Sequence, residues 1–112
     1  MAYDEDLADR LRELVGDEPD VTERRMFGGL AFLAGGNLAV AASSKGGLMV
    51  RVDPAQAEAL LAQAGVRPFE MNGRELDGWG RVDAEGVRTD DRLGAWAERG
   101  LGHARSLPPK AS

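Results

Sequence analysis

The chain has 112 residues, with 14 Lys and Arg against 19 Asp and Glu for a net charge of −5, one His and no Cys. That length suits one domain with one core, which buries roughly two thirds of the surface exposed by the unfolded chain. A chain without cysteine has no disulfide, thiolate nucleophile or Cys-rich zinc site and suits a reducing cytoplasm, while the acidic balance disfavours a domain whose main work is gripping nucleic acid.

The opening MAYDEDLADRL is acidic and lacks the basic start and apolar run of a secretion signal. No later apolar run approaches the ~20 residues that a membrane helix needs, so a cytoplasmic protein with no membrane role is expected. From Asp4 to Val15, Leu7, Leu11, Leu14 and Val15 recur at helical spacing, behind the acids Asp4, Glu5 and Asp6 and ahead of Gly16. The stripe predicts a helix lying on the core. Pro19, inside the acidic connector Gly16 to Asp20, forbids its continuation, and a sheet is predicted to begin near Val21.

The pattern then changes to short segments, RRMFGGLAFL, NLAVAAS and GLMVRVD, separated by AGG and SKG. Those separators read as hairpin turns, because Gly supplies positive φ at little steric cost. Alternation predicts Leu38, Val40 and Ala42 on one face and likewise Leu48, Val50 and Val52, with Met49 and Arg51 opposite. One face is expected to pack while the other is mixed. Gly28 and Gly29 fall inside the first segment, which predicts a bulge or sharp bend within a strand. A phosphate cradle would need GxGxxG or GxxxxGK[ST] spacing, and neither occurs.

DPAQAEALLAQAG carries a full set of helix signals: Asp53 as N-cap, Pro54 in the first turn, Gln56 at the capping-box position and Gly65 after the end. Its apolar face is expected to be Ala57, Leu60, Leu61 and Ala64. VRPFEMNGRELDGWGRVD follows as a hairpin turning at Asn72 and Gly73, with Leu76 and Val82 on one face and Asp77, Trp79 and Arg81 on the other. A last helix starts near Thr89 as cap and buries Leu93, Trp96, Ala97, Leu101 and Ala104. The predicted order is helix, strands, helix, hairpin, helix. That is an α+β domain with a single antiparallel sheet of about five strands and helices on one side of it. The domain is placed at residues 1–107, with 108–112 as a frayed tail.

No catalytic, metal or cofactor residue is assigned. His103 has Arg99 and Leu107 at the i±4 positions in place of acids, and a lone His makes a poor site. Ser43, Ser44 and Lys45 read as turn formers, not as a nucleophile with its base. The acids DED, DEP and TDD sit at helix starts and connectors, where they complement the helix dipole. Trp79 has two readings. If helices cover its face it is core; if not, Trp79, Met49 and Arg51 make an aromatic and Arg surface of the kind enriched at interfaces.

RRMFGGLAFL, LMVRVDP and RPFEMNGRELDGWGRVD together resemble the N-terminal domain of the TfoX/Sxy family of bacterial competence regulators, over about residues 5 to 105. The resemblance implies an α+β domain whose antiparallel sheet is flanked by helices. It also implies a transcriptional co-regulator that acts through other proteins and has no established catalytic centre. The signature positions are Met26, Phe27, Gly28, Gly29, Gly73, Arg74, Gly78 and Trp79, to which Arg51 is added as an interaction candidate. Well-known members carry a second, helical C-terminal domain, whereas this sequence stops at PPKAS; they are also expected to have an apolar residue after the Trp, where Gly80 stands here.

The expected function is therefore a non-enzymatic regulatory domain, linked to transcription or competence, that contacts a protein partner of unknown identity. A homodimer is compatible with this reading, no cofactor is called for and direct nucleic-acid binding is not expected. The alternative is a small-molecule binding domain or enzyme with a cleft near Gly28, Arg51 and Trp79.

Overall fold

The computed structural model describes residues 5–26, 29–43, 46–63, 65–71 and 73–108, with the side chains of 26, 57, 60, 69–71 and 74–77 outside the description. Its first element, α1 (Glu5–Val15), buries Leu7, Ala8, Leu11 and Val15. Leu14 departs from the predicted stripe and is 42% exposed. At 100° per residue the buried set runs from Leu7 on one side of Leu11 to Val15 and Ala8 on the other, so the face is centred toward Val15 and Ala8, and Leu14, which lies beyond Leu7 on the opposite side, falls outside it.

Six strands follow in one antiparallel sheet: β1 (Val21–Met26), β2 (Gly29–Ala34), β3 (Asn37–Ala42), β4 (Leu48–Arg51), β5 (Val66–Met71) and β6 (Arg74–Val82). Their spatial order is β1-β2-β3-β4-β6-β5. The sixth strand comes from RRMFGGLAFL, which is not one bent strand. Its halves pair, Val21 opposite Ala34 through to Met26 opposite Gly29, so the chain reverses between Met26 and Gly29. The predicted Gly29 bend is thus a strand start, and Phe27 and Gly28 lie outside the described residues. The AGG separator behaves as expected: Gly35 and Gly36 have φ of 59° and 82°, two left-handed residues in a two-residue hairpin of the hand that matches strand twist.

Alternation fails in β3 for an identifiable reason. Phe32 pairs with Val40 but Leu33 pairs with Leu38, so Ala39 is an extra residue and the register shifts. Leu38 consequently faces away from Val40 and Ala42, the residues with which it was predicted to share a face. Leu48, Val50 and Val52 keep theirs.

Between β4 and β5 the predicted long helix is shorter, a 3-10 turn over Pro54–Gln56 and then α2 (Ala57–Leu61). Asp53 caps it by accepting from the Ala55 N–H at 2.9 Å. Leu61, expected inward, is 37% exposed; Ala64 lies outside the described residues. The last helix, α3 (Asp90–Ser106), is capped as expected, Thr89 Oγ1 accepting from the Arg92 N–H at 3.2 Å. It buries all five predicted residues, and Gly100 with them.

The helices α1 and α3 lie on one face of the sheet. There they close the main core around Phe32, Val40, Leu48, Val50 and Val82, each fully buried and worth roughly 1.5–3 kcal/mol. Arginines join the periphery: Arg10 to Asp90 at 3.2 Å, Arg12 to Glu23 at 2.9 Å and Arg105 to Asp20 at 2.8 Å. Asn37, 2% exposed, ties β3 to the end of α3 by donating to the carbonyls of Ala104 and Pro108 at 3.4 and 3.0 Å.

Candidate functional site

The second face of the sheet is where the sequence placed Trp79. Among the described residues no helix side chain joins the small cluster there, made of Ala31, Leu33, Leu38, Ala41 and Met49 with Trp79 packed against it. Met49 is only 3% exposed, so it belongs to this cluster and not to an open aromatic surface. The expectation of one packed and one mixed face therefore fails along β2 and β3, which are buried on both sides.

Trp79 is half-buried and stands directly opposite Arg51 in the β4–β6 ladder, with the guanidinium carbon 5.4 Å from the ring centroid. A cation over an indole face at that distance is attracted by the ring quadrupole. The strand that presents Trp79 is irregular: Pro68 pairs with Gly80 but Glu70 pairs with Glu75. Gly78 supplies the bend, with φ of 78° and a backbone so close to β4 that a Cβ would lie 2.6 Å from the Val52 carbonyl oxygen. Its own carbonyl accepts from the Val52 N–H at 2.7 Å. Gly80, beyond the bend, is buried and paired on both sides, with Val50 and Pro68.

The other signature residues are dispersed. Met26 and Gly29 face each other at the end of the β1–β2 hairpin. Gly73 turns the β5–β6 hairpin at φ of 77°, and Arg74 opens β6 opposite Met71. Gly29 lies two strands from Arg51 and four residues further along, about 16 Å by strand geometry. Gly29 is therefore well apart from the Arg51–Trp79 pair on the sheet, and Gly28, the third residue of the alternative cleft, lies outside the described residues.

Two clefts lie along α3. One of about 330 Å³ is lined by Gln63, Gly86, Arg92, Ala95, Trp96 and Arg99, and a second of about 300 Å³ includes Asp53, Glu98 and His103. In the first, Arg99 sits 5.1 Å from the Trp96 ring centroid, and the indole N–H donates to the Gly86 carbonyl at 3.2 Å. Among the described residues no group of three or more His, Cys, Asp or Glu is placed to hold a metal, and no helix is long and apolar enough to cross a membrane.

Sequence reasoning missed one arrangement on the Trp79 face. Arg24 pairs with Ala31, Ala31 with Ala41, Ala41 with Met49, Met49 with Arg81 and Arg81 with Arg67. One residue from each strand thus forms a single row across the sheet, basic at both ends, with Arg51 one step aside. Alternation around Val66 and Val82 hinted at where Arg67 and Arg81 face, but pairing register is what aligns them.

The TfoX N-terminal domain model matches residues 13–104, most of the chain and the whole of the sheet. The chain belongs to the TfoX N-terminal domain family. No curated protein is significantly similar to it. In this TfoX N-terminal domain the glycines of the signature do visible architectural work: Gly78 bends β6 beneath Trp79, and Gly73 turns its hairpin.

Proposed function

We propose that this TfoX N-terminal domain is a non-enzymatic regulatory module, acting in transcriptional or competence-type control through contact with another protein. Membership of that family carries the reading. The Trp79 face supports it as the contact surface, since Trp and Arg are the side chains most enriched at interface hot spots.

Affinity capture from the native host tests this by comparing the wild type with Trp79→Ala, after thermal melts show that the variant folds. A specific protein retained by the wild type and lost by the variant is the expected outcome. Substrate turnover, or a metabolite that raises the melting temperature in a ligand screen, would instead favour a small-molecule site; a ligand at 100 times its Kd adds about 2.7 kcal/mol. Light scattering in solution reports whether the partner is a second copy.

A further inference from the structure

We propose that the cleft between the end of α2 and α3 binds a small organic anion carrying two acidic groups, one held by Arg92 and the other by Arg99, with its apolar body on Ala95 and the Trp96 ring. The inference goes beyond the protein-contact reading, because Trp96 belongs to the main core on the helix side of the sheet, whereas Trp79 packs on the opposite face.

Helical spacing builds the site. Arg92, Ala95, Trp96 and Arg99 stand at i, i+3, i+4 and i+7 along α3, so all four project from one side of the helix, with the two Arg Cα atoms about 10.5 Å apart at ~1.5 Å per residue. Gln63, just past α2, and Gly86, in the 3-10 turn Glu85–Val87, complete the lining. Each cation is steadied by a different neighbour. Arg92 Nη1 donates to the Glu85 carbonyl at 3.1 Å, and the Arg99 guanidinium carbon stands over the indole of Trp96. That indole is itself fixed, being only 8% exposed and bonded through its N–H to the Gly86 carbonyl.

Unspent donors select the ligand. A guanidinium carries about five N–H donors, and among the described residues Arg92 spends one in a hydrogen bond and Arg99 none, while neither meets a carboxylate. The free edges of both forks match a carboxylate or a phosphate. No acid stands among the described lining residues. The second cleft, which Arg99 also borders, carries Asp53 and Glu98 and would repel an anion, so the first is the one chosen. Because the two forks are anchored at separate points, the Glu85 carbonyl and the indole face, two anionic groups suit them better than one. The volume of about 330 Å³ is at the low end for small-molecule sites and equals about eleven waters at ~30 Å³ each. It suits a short dicarboxylate or phosphorylated acid and is too small for a nucleotide.

The test titrates Trp79→Phe, which leaves Trp96 as the chain's one indole, with glutarate and with phosphoglycolate at constant ionic strength. A saturable change in Trp96 fluorescence with at least one of them is expected, and the tighter of the two tells whether the second head is carboxylate or phosphate. Calorimetry on the chain with Trp79 intact then gives the Kd of that ligand. Arg92→Gln and Arg99→Gln should each raise it about tenfold, and Arg92→Lys and Arg99→Lys less, since an ammonium keeps the charge but not the fork. Arg24→Gln, on the Trp79 face, should leave it within about twofold. Butyrate, with one acidic group, should bind about tenfold more weakly. Melting curves establish that each variant folds. No saturable signal from either ligand, butyrate or inorganic phosphate binding as tightly as the better of them, or an equal loss on Arg24→Gln would overturn the proposal. Capture of a protein through Trp79 is measured separately: its loss with anion binding intact removes the contact reading alone, and its persistence without anion binding removes this site alone.

Discussion

Gly100 of α3 lies against the backbone of Ala39, the extra residue of the β3 bulge: a Cβ on Gly100 would sit 2.5 Å from the Ala39 carbonyl oxygen and 3.0 Å from Val40 Cγ1. The helix and the bulged strand thus meet where neither has a bulky side chain, and this contact sets how deeply α3 settles on the sheet. Gly→Ala inside a helix ordinarily stabilises by roughly 0.5–1 kcal/mol. Gly100→Ala should instead destabilise by about 1–3 kcal/mol, since backbone cannot yield as a side chain does. Gly94 and Gly102 on the same helix face open space and should show the ordinary gain. Urea denaturation of the three variants checks the sign.

A second contrast concerns β6. Gly78→Ala combines a left-handed backbone with a methyl against the Val52 carbonyl, so a loss of about 2 kcal/mol or more is expected, with disturbed fluorescence from the neighbouring Trp79. Gly73 has a similar φ but nothing near its missing Cβ, and Asn visits that conformation readily. Gly73→Asn should therefore cost less than about 1 kcal/mol. Equal losses at the two positions in thermal melts would refute the close approach at Gly78.

Asn37 offers a test of a buried donor. Asn37→Ala leaves the Ala104 and Pro108 carbonyls without their side-chain donor and should cost about 1–3 kcal/mol. Asn37→Asp should cost more near neutral pH, because a carboxylate would face two carbonyl oxygens, and the excess should shrink in acid as the side chain is protonated. Hydrogen exchange at the end of α3 should speed up in both variants.

The connector between α1 and β1 carries a pH signature. Hydrogen bonds from Arg105 hold the Asp20 carboxyl below the ordinary carboxylate range, and Arg105 is raised in turn, chiefly by the hydrogen bond with Asp20 and then by that with Glu18. A depressed carboxyl contributes stability that is present above its unfolded pKa and lost as pH falls through the folded value. Both groups are solvent-exposed, so the contribution is small and salt-sensitive. Asp20→Asn should be slightly less stable than the wild type near neutral pH, and the difference should vanish at about pH 2 and at high salt. A difference that persisted in strong acid would place its origin elsewhere.

How far the sequence alone carries is shown by particular residues. Thr89, Asp53 and the Gly35–Gly36 turn act locally, through bonds to the next few residues or through φ, and each functions as the sequence predicted. Leu38 does not, because the bulge at Ala39 is fixed by what β2 and α3 place against it. Leu61 and Leu14 point outward, since a periodic stripe says which residues share a face but not how wide the contact will be. At the candidate site, the alternation of β6 with Val82 inward put Trp79 and Arg81 on one face, while Arg24 and Arg67, far away in sequence, joined them only through pairing.

The sequence by itself determined the order of elements, their caps and most of their turns, because those depend on steric preferences and hydrogen bonds within a few residues. The tertiary structure alone decided which strands neighbour one another, that RRMFGGLAFL reverses on itself, that Gly100 sits on a bulge and that three arginines from three strands line up in one row. Those outcomes follow from register and close packing between distant segments, and their energies exist only once the segments have met.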